Sequence, residues 1–248
     1  MTSADNVAAR RDELSANLRH VHQRIASACR AAGRSRDDVA LIVVTKFFPV
    51  SDIEVLTDLG VTDIGENRDQ EASAKIASLP AEVRQRLRVH FIGQLQSNKA
   101  ASLASYVDTV HSVDRAKLVR ALDRAATSAG RDLGVLVQVS LSGDCAGAGR
   151  GGIPRGGIPR DGVAELADAV AAARPLTLRG LMAVAPLGVD PAVAFAELAM
   201  VSQEVRSAHP DATWISAGMS ADLEAAVANG ATHLRVGSAI LGSRPLFG

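Results

Sequence analysis

Apolar runs alternate with amphipathic helical patterns along most of the chain. The first run, LIVV at residues 41–44, shows no polar alternation, which is typical of a parallel strand buried on both faces. Segments with helical periodicity separate the later runs. We therefore predict eight strands, at residues 41–45, 62–65, 89–92, 107–111, 135–141, 178–183, 213–216 and 233–236.

The order of these elements predicts an α/β fold. Strand and helix alternation requires parallel strands with right-handed crossovers, and eight strands in about 200 residues fit a closed (β/α)8 TIM barrel. A doubly wound open sheet is the structural alternative. An amphipathic helix over residues 8–32 precedes the first strand, and no linker interrupts residues 1–248, so we expect a single domain.

Residues 143–162 differ from the rest of the chain in composition. They contain GGIPR at residues 151–155 and again at 156–160, and this content of glycine and proline predicts a flexible loop after the fifth strand. A neutral duplication is the simpler interpretation of the repeat. A lid over a ligand is the alternative.

Composition and charge exclude several classes of function. The 27 basic and 27 acidic residues cancel, which argues against binding to nucleic acid or to a membrane surface. Cys29 and Cys145 belong to no CxxC pair, so we expect reduced cysteines and a cytoplasmic protein. We find no signal peptide and no apolar run of the ~18 residues that a membrane span needs.

Three common catalytic or cofactor-binding motifs are missing from the sequence. It contains no GxSxG elbow, no HExxH helix and no glycine-rich dinucleotide turn with an acidic partner, so hydrolase and dehydrogenase functions lose support. His90, His111 and His233 lie within predicted strands, without the spacing of metal ligands. We expect these histidines to be structural.

Lys46 directly follows the first predicted strand. The other three lysines, Lys75, Lys99 and Lys117, are predicted at polar positions of helices. Barrel enzymes carry their sites on the face formed by the carboxyl ends of the strands, here called the carboxyl-end face, and a desolvated amine there is a nucleophile toward aldehydes. A lysine that merely extends into solvent is the alternative.

Two serine-containing turns follow the last two predicted strands. SAGMSAD places Gly218 and Ser220 ahead of one helix, and RVGSAILG places Gly237 and Ser238 ahead of another. Free amides at helix starts, together with serine hydroxyls, can hold a phosphate, and this is the common phosphate position of a barrel. For either turn alone, ordinary helix capping is the alternative.

Several segments, taken in order, make the chain resemble a known family. They are VTK at 44–46, GEN at 65–67, HFIGQLQSNK at 90–99, HSVD at 111–114, GLM at 180–182, GMSAD at 218–222 and RVGSAILGSR at 235–244. With these segments the chain resembles the pyridoxal phosphate homeostasis proteins, the YggS/PROSC family. The resemblance implies a barrel of the alanine racemase N-terminal type, with pyridoxal 5'-phosphate held as a Schiff base on Lys46.

The same resemblance implies the other cofactor contacts. Asn67 would lie beside the cofactor and Arg235 would face its pyridine nitrogen. The expected phosphate site consists of Ser216, Gly218, Ser220, Gly237 and Ser238, and Met182 and Met219 complete the candidate site. The sequence departs from the family pattern at Arg68, where a tyrosine is usual, and at Phe47 and Phe48, where polar or basic residues are more frequent.

The implied function is that of a monomeric carrier that buffers pyridoxal phosphate, maintains its homeostasis and supplies apo forms of enzymes that use it. An amino-acid racemase with the same cofactor is the first alternative. A phosphosugar barrel enzyme without the cofactor is a weaker one. We expect negligible racemase activity, because a racemase needs acid and base groups on both faces of the substrate carbon, and the only tyrosine is Tyr106.

Overall fold

Eight parallel strands close into a barrel in the computed structural model, which describes residues 3–141 and 156–243. The strands are β1 (Ala40–Val44), β2 (Asp63–Glu66), β3 (Arg88–Phe91), β4 (Thr109–Val113), β5 (Leu133–Gln138), β6 (Leu176–Met182), β7 (Trp214–Ser216) and β8 (His233–Val236). They follow the order of the chain, and β8 pairs with β1 in parallel. The barrel prediction is therefore confirmed, since every strand pairs with two neighbours, whereas an open sheet has two edge strands that each pair on one side alone.

Helices surround the barrel. They are α1 (Ser3–Ala31), α2 (Val50–Asp58), α3 (Asp69–Ala77), α4 (Ala81–Gln85), α5 (Ala100–Tyr106), α6 (Ala116–Ala129), α7 (Arg160–Ala171), α8 (Pro191–Ala208), α9 (Leu223–Ala228) and α10 (Ser238–Leu241), with short 3-10 helices at Arg36–Asp38 and Ser97–Lys99. The first helix begins before the predicted residue 8 and packs on α2, α9 and α10. None of the helices in the described ranges is long and apolar enough to cross a membrane.

The main apolar core lies between the strands and the helices. Strand residues that face outward, such as Val43, Ile64 and Val89, belong to this core and are fully buried. Alternate strand residues face the barrel interior, which is partly polar: His90, with its side chain hydrogen-bonded to His111, is also fully buried. The polar interior connects the two ends of the barrel.

Every predicted strand overlaps an observed strand, and three begin two residues away from the predicted start. The sixth begins at Leu176 instead of residue 178. The fourth begins at Thr109 instead of residue 107, because Val107 caps the preceding helix. The fifth begins at Leu133 and ends at Gln138, before the predicted residue 141. Apolar residues such as Val107 and Leu141 continue the pattern beyond these strands, so the sequence alone leaves the boundaries open.

The predicted loop at residues 143–162 is partly corrected. Ile158 pairs with Val139 in a parallel bridge, and α7 already begins at Arg160, so the second GGIPR copy is extended backbone that leads into a helix. The bridge has two hydrogen bonds, from Ser140 N to Ile158 O and from Ile158 N to Gln138 O. The first copy and Cys145 lie outside the described residues.

Candidate functional site on the carboxyl-end face

Lys46 lies in a tight turn directly after β1. The Phe48 amide donates to Thr45 O across this turn over 3.1 Å. Phe47 has a φ of +69°, a left-handed conformation that a bulky residue rarely adopts. Such backbone strain costs about 1–3 kcal/mol and is concentrated at functional sites. Lys46 is half-buried on the carboxyl-end face, where the sequence predicts it.

The prediction for Lys75 is wrong, because this lysine is buried. Its side chain is 7% exposed, and its ammonium pairs with Glu66 at 2.9 Å and Glu71 at 3.1 Å. It also donates to Thr45 O over 2.9 Å. We call Lys75, Glu66 and Glu71 the Lys75 cluster.

Helix periodicity contained a signal for the burial of Lys75. Ala72 and Ile76 are buried, and Lys75 lies on the same face of α3, three residues after the first and one before the second. Glu71 precedes Lys75 by four residues, which is the spacing of an ion pair within a helix. Glu66 ends β2, so its meeting with Lys75 depends on how α3 packs against the barrel.

Glu66 is a fully buried carboxylate at the end of β2. Its Oε1 accepts hydrogen bonds from Thr45 Oγ1 at 2.7 Å and from Lys75 Nζ at 2.9 Å. Its Oε2 has no hydrogen-bond partner among the described residues. Burial raises the pKa of Glu66, and the Lys75 ammonium opposes this shift.

Arg235 is buried in β8, the strand that pairs with β1 on the side away from β2. Its guanidinium donates to Ser216 Oγ over 2.6 Å and to Ala183 O over 2.9 Å. Both acceptors are neutral, and desolvation lowers the pKa of Arg235 to about 10, while Asp222 opposes this shift. The guanidinium is still charged at neutral pH, so the site contains a buried cation without a carboxylate in contact among the described residues.

A chain of buried hydrogen bonds leads from Arg235 into the barrel. Ser216 Oγ lies 3.0 Å from His111 Nδ1, and His111 Nε2 lies 2.9 Å from His90 Nδ1. His90 Nε2 in turn lies 2.9 Å from Asp63 Oδ1. The histidines contribute to this network, and the described residues contain no group of His, Cys, Asp and Glu that could hold a metal.

The charge state of this chain follows from burial. Burial lowers the pKa of His111 well below its usual range, so this imidazole is neutral. Burial alone would raise the pKa of Asp63, but hydrogen bonds from His90, Arg88 and Thr62 lower it below its usual range. The Asp63 carboxylate therefore stays ionised and also pairs with Arg88 at 2.7 Å.

The two serine turns meet after β7 and β8. Ser238 Oγ donates to Ser220 Oγ over 3.2 Å, so the two hydroxyls lie side by side. Gly218 has a φ of +90°, and a Cβ there would lie 2.6 Å from the Ala226 side chain. Met219, which lies between Gly218 and Ser220 in the chain, is 40% exposed. The turns therefore converge as the sequence predicts.

Asn67 and Met182 line one cavity on the same face. The cavity has a volume of about 250 Å³, and its other lining residues include Gly93, Gln94 and Gln138. A Cβ on Gly93 would lie 2.0 Å from Asn67 O, so only glycine allows this close approach. The sequence reasoning missed Gln138, which ends β5 at the cavity wall.

Two departures from the family pattern contact each other. The Arg68 guanidinium lies 5.0 Å from the centre of the Phe47 ring, which is within the range of a cation–π contact. Lys46 Nζ lies 5.9 Å from the same ring centre. The two residues that depart from the family pattern, Arg68 and Phe47, are thus in contact with each other beside Lys46.

The candidate residues fall into four groups on one face. Lys46 belongs to the β1 turn, and Asn67 and Met182 line the cavity. Arg235 and Ser216 are hydrogen-bonded, as are Ser220 and Ser238. Taken together, the site offers an amine, a buried cation and a hydroxyl pair, which is chemistry suited to an anionic ligand with a reactive carbonyl.

Comparison with known proteins gives the family of the chain. The family model for the alanine racemase N-terminal domain matches residues 11–245. A pyridoxal phosphate homeostasis protein of Mycobacterium tuberculosis is 43% identical over 250 residues, which cover 96% of this chain and 95% of that protein. A protein of the same name from Vibrio cholerae is 36% identical over 232 residues, which cover 92% and 95%.

Solved structures extend the comparison. PipY of Synechococcus elongatus, with PLP bound, superposes with a TM-score of 0.72 and 33% identity, covering 88% of this chain and 100% of PipY. An unknown protein from Bifidobacterium adolescentis superposes with a TM-score of 0.84 and 31% identity, covering 94% and 96%.

Proposed function

We propose a function from the family of this chain, which belongs to the pyridoxal phosphate homeostasis proteins. The protein binds pyridoxal 5'-phosphate and acts as its carrier. The observation that carries this proposal is the buried Arg235 cation, which contacts no carboxylate among the described residues, on the same face as Lys46 and the Ser220–Ser238 pair. A carrier would hold the cofactor, cover its reactive aldehyde and deliver it to apo enzymes.

The residues present fit this cofactor. Ser220 and Ser238, with the amides around Gly218 and Gly237, can donate to a phosphate. Arg235 supplies a donor to a ring nitrogen, and Lys46 supplies the amine. When bound, the cofactor contributes an aldehyde that can bond covalently to an amine. Asn67 and Met182 would line its ring in the cavity of about 250 Å³.

Arg235 also favours a carrier over a racemase. A permanent cation beside the pyridine nitrogen opposes protonation of that nitrogen, because two positive charges would lie in contact. An unprotonated ring withdraws electrons less strongly, and Arg235 would thus keep carbanion chemistry slow.

Tyr106 gives the same indication. It is the only tyrosine of the chain, and its hydroxyl donates to Asp69 Oδ1 over 3.3 Å. Burial raises the pKa of Tyr106 above its usual value, and the Asp69 carboxylate adds to this shift. The tyrosine is thus held as a hydrogen-bond donor at the start of α3 and is unsuited to act as an acid or base.

We propose that the protein works as a cytoplasmic monomer.

Binding through Lys46 is tested by titration of the apo protein with pyridoxal phosphate, followed by borohydride reduction and peptide mapping. We expect a new absorption band and a label on Lys46. The matched control is Lys117→Ala, which changes an exposed lysine on α6 and should keep full labelling. If Lys46→Ala kept a reducible chromophore at unchanged yield, the assignment would be wrong.

The carrier function is tested by transfer. The loaded protein, mixed with an apo enzyme that requires pyridoxal phosphate, should activate that enzyme, and Lys46→Ala loaded under the same conditions should not. In parallel, the loaded protein is incubated with L-alanine and other amino acids in deuterated water. Racemisation or α-deuteration at about 1 per second or faster would favour the enzyme instead.

A further inference from the structure

We infer that Lys75 is a positioning residue for Lys46: with Glu66 and Glu71, it fixes the backbone on both sides of the lysine that binds the cofactor. This inference rests on the proposed function of Lys46, and it assigns a task to a buried lysine that the proposed function does not use.

The contacts of the Lys75 cluster reach both neighbours of Lys46. On the amino side, Lys75 Nζ donates to the carbonyl oxygen of Thr45 over 2.9 Å. On the carboxyl side, Glu71 Oε1 accepts the backbone N–H of Phe47 and also pairs with Lys75 Nζ at 3.1 Å. A single ammonium therefore connects the two peptide groups that flank Lys46.

Every hydrogen of the Lys75 ammonium has an acceptor in or beside the cluster. The ammonium of Lys75 has three donor hydrogens, and it has three acceptors: Thr45 O, Glu66 Oε1 and Glu71 Oε1. The Lys75 side chain is 7% exposed and the Glu66 side chain 0%, so the bond between them forms with little competition from water, whereas the Glu71 side chain is 28% exposed. An ammonium whose three hydrogens are all donated in this way holds the Thr45 carbonyl and the two carboxylates in one position.

The turn needs such an external constraint. Phe47 has a φ of +69°, which is a costly conformation for an aromatic residue and persists only when the surroundings impose it. The bond from Phe47 N–H to Glu71 is one of these constraints, and Lys75 holds Glu71 in place. Without the cluster, the turn would relax and the Lys46 amine would lose its alignment with the cofactor aldehyde.

The variant that tests this inference is Lys75→Met, which keeps the length and apolar stem of the side chain and removes the ammonium. Because it leaves Glu66 buried without its cation, the double variant Lys75→Met/Glu66→Gln is measured beside it to protect folding. Lys99→Met is the matched control, since Lys99 also pairs with a carboxylate, Asp69 at 3.6 Å, on the neighbouring helix.

Two ligands separate positioning from folding. Pyridoxal 5'-phosphate can bond to Lys46, whereas pyridoxine 5'-phosphate lacks the aldehyde and reports only the non-covalent site. In both Lys75 variants we expect the borohydride-trapped fraction and the affinity for pyridoxal phosphate to fall by about tenfold or more, with the affinity for pyridoxine phosphate unchanged. Lys99→Met should match the wild type with both ligands.

Three results would overturn the inference. Equal losses for both ligands in the double variant would mean that Lys75 supports only the fold, as would a melting temperature that falls in proportion to the trapped fraction. Unchanged trapping in both variants would mean that Lys75 does not act on Lys46. The proposed function fails separately, if the wild-type protein itself traps no cofactor on Lys46.

Discussion

The two sides of the carboxyl-end face bury charge in different ways. Beside β1 and β2, the Lys75 ammonium contacts the carboxylates of Glu66 and Glu71. Beside β7 and β8, Arg235 donates only to neutral oxygens of Ser216 and Ala183. A buried charge without an opposite partner is costly, so the second side is suited to receive a partner that the described residues do not provide. We call the first the scaffold side, because its charges support the turn of Lys46, and the second the proposed binding side.

The largest expected effect comes from removing one charge of the Lys75 cluster on the scaffold side. Glu66→Leu removes the fully buried partner of Lys75 and should lower the free energy of unfolding of the apo protein by about 3 kcal/mol. Arg235→Met removes a desolvated cation that pairs with no carboxylate in residues 3–141 and 156–243, so we expect a change within about 1 kcal/mol. Urea denaturation of both apo variants measures the difference. Equal losses would contradict the contrast between the two sides.

The binding side is tested next, through its serines. Ser220→Ala and Ser238→Ala each remove a hydroxyl from the proposed phosphate site, and hydrogen bonds to a charged group are worth about 1.5–3 kcal/mol. We expect the affinity for pyridoxal phosphate to fall about tenfold in each variant, while the affinity for unphosphorylated pyridoxal stays the same. Ser207→Ala on α8, where the hydroxyl bonds to Gln203 O, is the control. Parallel losses for both ligands would exclude a phosphate contact.

Acid should lower the free energy of unfolding through His233, which is buried in β8 two residues before Arg235. Burial lowers the pKa of His233 to about 3, and the unfolded chain takes up this proton near pH 6.5. Because the unfolded state then binds more protons, the stability due to the neutral ring is lost as the pH falls from about 6.5 toward about 3, by about 1.4 kcal/mol per pH unit.

The measurement is urea denaturation between pH 5 and pH 7, where few carboxylates titrate. His233→Phe keeps an aromatic ring on Trp214, whose centre lies 3.9 Å from the His233 ring centre, and should reduce the slope by about 1.4 kcal/mol per pH unit. His20→Phe changes an exposed histidine on α1 and should leave the slope as it is. An unchanged slope in His233→Phe would show that this ring takes up its proton as readily in the folded protein as in the unfolded chain.

The smallest expected effect concerns the rim of the scaffold side. A double-mutant cycle with Phe47→Leu and Arg68→Gln should give a coupling of about 0.5–1 kcal/mol in the free energy of unfolding, as expected for an exposed cation–π pair. The control cycle replaces Arg68→Gln with Lys99→Gln and should give no coupling. A zero coupling for the Arg68 cycle would mean that the two departures from the family pattern are independent.

Much of the fold follows from the sequence, because its signals are local. Runs such as LIVV at residues 41–44 are buried on both sides in any parallel barrel, and helical segments between such runs require crossovers. The position of Lys46 also follows, since a polar residue directly after a parallel strand must lie on the carboxyl-end face. The same reasoning brings Ser220 and Ser238 to neighbouring turns, where the structure has them 3.2 Å apart.

Only the tertiary structure decided which buried charges have partners. Lys75 looks polar in the sequence and is buried, because α3 packs its face against the turn that holds Thr45. The chain from Ser216 through His111 and His90 joins residues 105 and 21 positions apart, and these meet only when the barrel closes. Periodicity reports whether a side chain is inside, whereas the pairing of a charge depends on distances of about 3 Å between distant segments, which closure and strand register set.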